Sequence, residues 1–253
     1  KFRETPQTID FREAAGIARR KREEEERREK SRRSTVADAA RVGYEQNFSG
    51  AAYLTWGLII ACVALAIYSQ LGDNKLALSP FLITPFRPYV LVGPDGTVPF
   101  LPEVWSGEIW RLITPIFIHF GLPHILFNSM AIKDLGTFIE GRFGTLYFGL
   151  LVLAFGILSN IGQSLWYLHG PPYPFGGMSG VNYGLLGFLW IRGRFDPRAS
   201  WQLNKTTVQI MLAWFFLCYT GIFGNVANTA HAVGLICGMA WGYASSGRLR
   251  FSR

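Results

Sequence analysis

The chain has 253 residues, 49% of them apolar and 15% aromatic, yet its formal net charge is +8. Residues 1–50 hold 13 of the 25 Lys+Arg and 10 of the 17 Asp+Glu, whereas Phe143–Ile191 and Thr206–Gly247 run 49 and 42 residues without a charged side chain. Each uncharged run has room for two spans of about 20 residues, which excludes an ordinary water-soluble domain and predicts an all-α polytopic membrane protein.

The first segment, residues 1–50, is polar. Its stretch Arg19–Lys30 is dense in charge, and Glu23/Arg27, Glu24/Arg28 and Glu26/Lys30 have the spacing of an exposed helix, each pair contributing about 0.2–0.5 kcal/mol. Acids nearly balance bases there, so a solvated helix or linker is favoured over a nucleic-acid or lipid-headgroup site. The chain begins with Lys, and nothing in it resembles a cleavable signal peptide.

Six spans follow within a domain over residues 51–247. The first covers Ala52–Leu71. A long connection over 72–122 carries Pro80, Pro85, Pro88, Pro94, Pro99 and Pro102, too many prolines for a regular helix. The second span starts at Pro123, a residue suited to a first helical turn, and ends near Gly141. Thr145–Leu168 is the third, Ser179–Ile191 the fourth, Thr207–Phe223 the fifth and Val226–Ser245 the sixth. Residues 248–253 form a basic tail.

Basic residues set the expected orientation. Arg192, Arg194, Arg198 and Lys205 crowd the connection between spans four and five, while the 3–4 and 5–6 connections have no Lys or Arg. Both termini are then expected in the cytoplasm. Spans two, four and six all begin at the outer face, and His124, Asn128, Ser179 and His231 fall in their first turns. From Ser179 to Arg192 is 13 steps, or about 20 Å of helix, which leaves the serine roughly 10 Å below the outer surface of a core about 30 Å thick.

Polar side chains at that depth point to chemistry. Gly177-Met178-Ser179-Gly180 presents a hydroxyl with little steric cover, and His231 is the base that would activate it. No acid lies on spans four or six to complete a triad. Tyr183, one turn after Ser179, could instead hold the imidazole by ring contact. His124 and Asn128, at i and i+4 on span two, could supply donors to an oxyanion together with the Ser179 amide. Gly234, Gly238 and Gly242 continue the face of His231, and Gly180, Gly184 and Gly187 lie on span four, so the two helices can approach closely.

These residues resemble the rhomboid intramembrane serine proteases, and within them the bacterial GlpG type. The match is carried by Trp110-Arg111, His119 with His124-x-x-x-Asn128, Gly177-Met178-Ser179-Gly180 followed by Tyr183, and Ala230-His231-x-x-Gly234-x-x-x-Gly238. The run Phe175–Val181, then Trp190-Ile191-Arg192-Gly193 and Asp196-Pro197, is similar to the GlpG subgroup. The resemblance implies a six-helix fold, a Ser179–His231 dyad and an oxyanion site from His124, Asn128 and the Ser179 amide. It also implies cleavage of single-span or polytopic membrane protein substrates near their outer ends, in a bacterial inner membrane, without metal or cofactor. Trp110 and Arg111 would be structural residues of a membrane-dipping first loop.

Other readings carry less. Lys133 and Asp134 depart from the apolar pattern of span two; they would lie near its cytoplasmic end or face a polar pocket. His119 and His169 read as loop or interface histidines. Cys62, Cys218 and Cys237 fall on different spans without a C-x-x-C pair and read as buried free thiols. No H-E-x-x-H metalloprotease motif is present. The rival function is a catalytically inactive rhomboid-like protein that binds membrane proteins. A channel would need a path of ionisable residues, for which only Lys133 and Asp134 offer themselves.

Overall fold

A computed structural model describes residues 16–29, 52–85, 100–166 and 174–247. By contact pattern the chain divides into two units, Lys1–Gln46 and Asn47–Arg253. In the first, residues 16–29 form an exposed helix, α1, with an Arg19–Glu23 ion pair at 3.0 Å, one turn apart. The predicted tail 248–253, His169 and much of the first connection and of the 3–4 loop lie outside the described residues.

The second unit is helical, with no strand among the described residues. Its elements are α2 (Tyr53–Tyr68), α3 (Lys75–Leu78), α4 (Pro102–Trp105), α5 (Leu122–Phe143), α6 (Thr145–Trp166), α7 (Ser179–Phe195), α8 (Lys205–Cys218) and α9 (Asn228–Ser245). Tight 3-10 turns at Ile109–Leu112 and Thr114–Phe117 lead into α5. Among the described residues α6 alone is both long and apolar enough to cross a membrane by length and composition, while α2 and α8 are apolar but shorter.

Where helices stop follows from backbone chemistry. The predicted fifth span continues to Phe223, but α8 ends at Cys218, because Gly221 and Gly224 hold φ of +79° and +73°, outside any right-handed helix. The first span ends at Tyr68 rather than Leu71, since Gln70 and Leu71 both adopt positive φ.

The core is a stack of α7 against α9, backed by α6. Phe148, Phe155, Leu185, Phe188 and Val181 are fully buried there. Close approach depends on glycine. A Cβ on Gly234 would strike the carbonyl of Gly180, one on Gly238 that of Gly184, and one on Gly242 would lie 2.6 Å from the Phe188 oxygen. Reciprocally, a Cβ on Gly187 would lie 2.5 Å from the Leu235 oxygen. The spacing of three to four residues on both helices thus puts backbone on backbone, maximising dispersion where lipid offers no hydrophobic drive.

Polar groups anchor the periphery. Glu140, 4% exposed near the end of α5, accepts from the Leu54 and Thr55 amides (both 2.9 Å), the Thr55 hydroxyl (2.8 Å) and the Thr145 hydroxyl (2.9 Å). One carboxylate therefore caps the N-terminus of α2 from another helix and complements its dipole. Arg111, 6% exposed, donates to the carbonyls of Ser79 and Leu82, each at 2.7 Å, and pairs with Glu108 at 2.6 Å, while Trp110 donates to Pro80 O at 3.3 Å. These two residues fold the first connection on itself. Lys133 and Asp134 are exposed on α5.

After α7, Asp196 meets Arg198 at 3.2 Å and Arg192 at 3.7 Å. Burial would raise its carboxyl pKa, but hydrogen bonds from the Arg198 backbone and guanidinium, and the charges of Arg198 and Arg192, hold it below the usual carboxylate range. The three cysteines are free thiols, two of them buried.

Candidate active site

Three helix N-termini meet at one point. Gly177, at φ +123°, turns the chain into α7, and its amide donates to Pro115 O at 2.9 Å, tying the 3–4 loop to the turn before α5. A Cβ on Gly177 would lie 2.6 Å from His124 Nε2, so only glycine serves here: for its backbone angle and for the space it leaves. Ser179 is the first residue of α7, where backbone N–H groups have no partner within the helix.

On the facing helix, His231 lies one turn into α9 and is 4% exposed. Its Nε2 stands 2.8 Å from Ser179 Oγ, across 52 residues of sequence. Nδ1 has no hydrogen-bond partner among the described residues, so no carboxylate orients the ring. Tyr183 takes that place by packing: its ring centroid is 4.8 Å from that of His231, at 43°. The Tyr183 hydroxyl donates to Met211 O at 3.0 Å, which fixes the phenol to α8.

His124 faces the same space. Its Nδ1 accepts from the Phe120 amide at 3.2 Å, which assigns the proton of the neutral ring to Nε2. A Cβ built on Gly177 would have that nitrogen at 2.6 Å and Ser179 Oγ at 3.7 Å, which puts the N–H on the Ser179 side of the site. Asn128, 6% exposed, donates from Nδ2 to His124 O at 2.9 Å, and its Oδ1 accepts from Asn182 Nδ2 at 3.0 Å. His119 is buried at 1% exposure with its ring 5.0 Å from that of His124, a packed interface position rather than an open loop.

The structure thus brings together Ser179, His231, Tyr183, His124 and Gly177, and sets Gly180 and Gly234 directly behind them. Trp110, Arg111 and Gly238 lie elsewhere, in the folded connection and deeper in the α7–α9 seam. Two neighbours escaped sequence reasoning. Gln163 on α6 accepts from the Ala230 amide at 3.0 Å, securing the first turn of α9 just before His231. Asn182 on α7 contacts Asn128. For Gln163 a signal existed, because Ser159, Asn160, Gln163 and Ser164 form a buried polar face on an otherwise apolar helix.

The arrangement is a serine hydroxyl on an imidazole, with N–H donors nearby and no metal-ligand cluster among the described residues. The fold is thus a glycine-packed helical bundle with a hydrogen-bonded Ser–His pair buried in it. Residues 106–248 match the rhomboid domain, and the chain belongs to the rhomboid family, an integral membrane family of intramembrane proteases and related proteins.

Proposed function

We propose that this rhomboid is an active serine endopeptidase that cleaves membrane proteins within the bilayer. The observation that carries the reading is the 2.8 Å approach of Ser179 Oγ to His231 Nε2. His231 Nε2 takes the hydroxyl proton as Oγ attacks the scissile carbonyl, then returns it to the leaving amine; water completes hydrolysis by the same route. Negative charge developing on the carbonyl oxygen is met by His124 Nε2–H, the Ser179 amide and Asn128 Nδ2. Tyr183 holds the imidazole plane. No metal or cofactor enters these steps.

Six spans with both termini cytoplasmic, the Arg-rich 4–5 connection inside and the dyad opening outward make up the proposed topology, in a bacterial inner membrane. Substrates are single-span or polytopic proteins cut near their outer ends. Residues 1–50 act as a cytoplasmic appendage, and the 175–197 motifs support the GlpG type. The other reading, an inactive relative that binds membrane proteins, would need no hydrogen-bonded Ser–His pair. A serine-directed fluorophosphonate separates the two: it should label the wild type at Ser179, label His231→Ala far less, and leave Ser179→Ala unmodified. A folded wild type that is neither labelled nor able to cut any single-span substrate would establish the binder.

A further inference from the structure

Asn182 sits between Val181 and Tyr183 in an apolar stretch of α7, three residues after the nucleophile, and is 2% exposed. Both contacts of its Nδ2 go to one residue, the Oδ1 of Asn128 at 3.0 Å and the backbone carbonyl of Asn128 at 3.2 Å. Its own Oδ1 is buried without a hydrogen-bond partner among the described residues. Leaving an amide oxygen unsatisfied is unfavourable, so an apolar side chain of the same shape would fill the position better if packing were its only task.

Resting on the protease reading above, we infer that Asn182 is a positioning residue that fixes the amide of Asn128 with its nitrogen toward the reacting carbonyl. The orientation of both amides follows from chemistry. Turning Asn182 over would set its oxygen against two oxygens of Asn128, so its nitrogen faces Asn128. With Oδ1 of Asn128 thereby occupied, Nδ2 lies on the opposite side. One of its hydrogens goes to His124 O at 2.9 Å, and the second is left for the oxyanion. Without Asn182, only the bond from Nδ2 to His124 O still favours this orientation of the Asn128 amide, so the flipped form, which presents an oxygen to developing negative charge, becomes more populated. Asn182 touches neither substrate nor the reacting atoms; it acts through Asn128 alone.

The test is a double-mutant cycle on the full chain in liposomes with a single-span substrate, reading kcat and KM. Asn182→Leu should lower kcat about 10-fold with KM nearly unchanged, less than the about 10²–10³-fold for removing a donor outright. In the Asn128→Ala background the same change should cost almost nothing further, because the group it orients is gone. A purely structural role would lower kcat equally in both backgrounds, and that result overturns the inference, as does an unchanged kcat in the wild-type background. Thermal unfolding verifies the fold; if Asn182→Leu fails it, Asn182→Ala, which cannot overpack, takes its place in the cycle. A wild type that cleaves nothing overturns the protease reading instead, and this inference with it.

Discussion

Gly238 lies directly against the carbonyl oxygen of Gly184, with no room for even a methyl group between α9 and α7. This contact is a turn deeper than the one between Gly234 and Gly180, which sits immediately behind the Ser179–His231 pair. The seam that holds Ser179 and His231 at hydrogen-bond distance is thus made of backbone, and its geometry cannot relax by a rotamer change.

Gly238→Ala should therefore destabilise the protein by about 1–3 kcal/mol and lower turnover, with Gly238→Val worse, although residue 238 touches no reacting atom. Gly57 on α2 is the control, since a Cβ there meets nothing within 4 Å. Gly57→Ala should be neutral or slightly stabilising, as expected of a solvent- or lipid-facing helical glycine. Thermal unfolding followed with cleavage assays checks both; wild-type behaviour of Gly238→Val would show that the seam does not position the pair.

Glu140 offers a second test, distant from the chemistry. Four donors converge on its two oxygens, and a glutamine would turn an amide NH2 toward N–H and O–H groups. Glu140→Gln should cost on the order of 2–3 kcal/mol through loosened docking of α2. The measurement is thermal stability, together with protease sensitivity of the chain on either side of Tyr53–Tyr68. An unchanged melting profile would mean that the cap contributes nothing to the bundle.

Orientation can be read by labelling. In a cysteine-free background, a cysteine at Tyr173 should react with an impermeant thiol reagent added outside intact cells, whereas one at Ser200 should not. Ser200 is exposed and lies between the Arg-rich end of α7 and Lys205, so protection there reports sidedness rather than burial. Reversed labelling would place the active-site mouth on the cytoplasmic side.

That Ser179 and His231 share one site could be read from the chain because each signal was local. Ser179 and His231 each lie in the first turn of a helix inside an uncharged run, and the glycine stripes indicated which helices approach. Asn182, Gln163 and Glu140 were not legible in the same way. Each has its meaning in a partner 54, 67 or 86 residues away, and nothing local separates an asparagine that pins Asn128 from one that merely tolerates a core. The end of α8 is hidden from the sequence for a related reason: apolarity continues past Cys218, but the backbone angles of Gly221 and Gly224 end the helix. The role of Asn128 stood between these cases. Its spacing from His124 marked it as a candidate oxyanion donor, yet its hydrogen bonds run to His124 O and Asn182, so in the proposed mechanism a single hydrogen is left for that role.

That dependence gives the last prediction. Asn128→Ala should slow cleavage by up to about 10²–10³-fold if its remaining hydrogen is a principal oxyanion donor, and by less where His124 Nε2–H and the Ser179 amide share the charge. His231→Ala should be more damaging, because it leaves the Ser179 hydroxyl without a base and no neighbouring group can replace one: Tyr183 is tied to Met211 O, and His124 Nδ1 is occupied by the Phe120 amide. Turnover of the two variants on one single-span substrate, with folding verified for each, decides the order. Loss in Asn128→Ala equal to or beyond that in His231→Ala would reverse the assigned roles, making the amide rather than the imidazole the group on which bond cleavage chiefly depends.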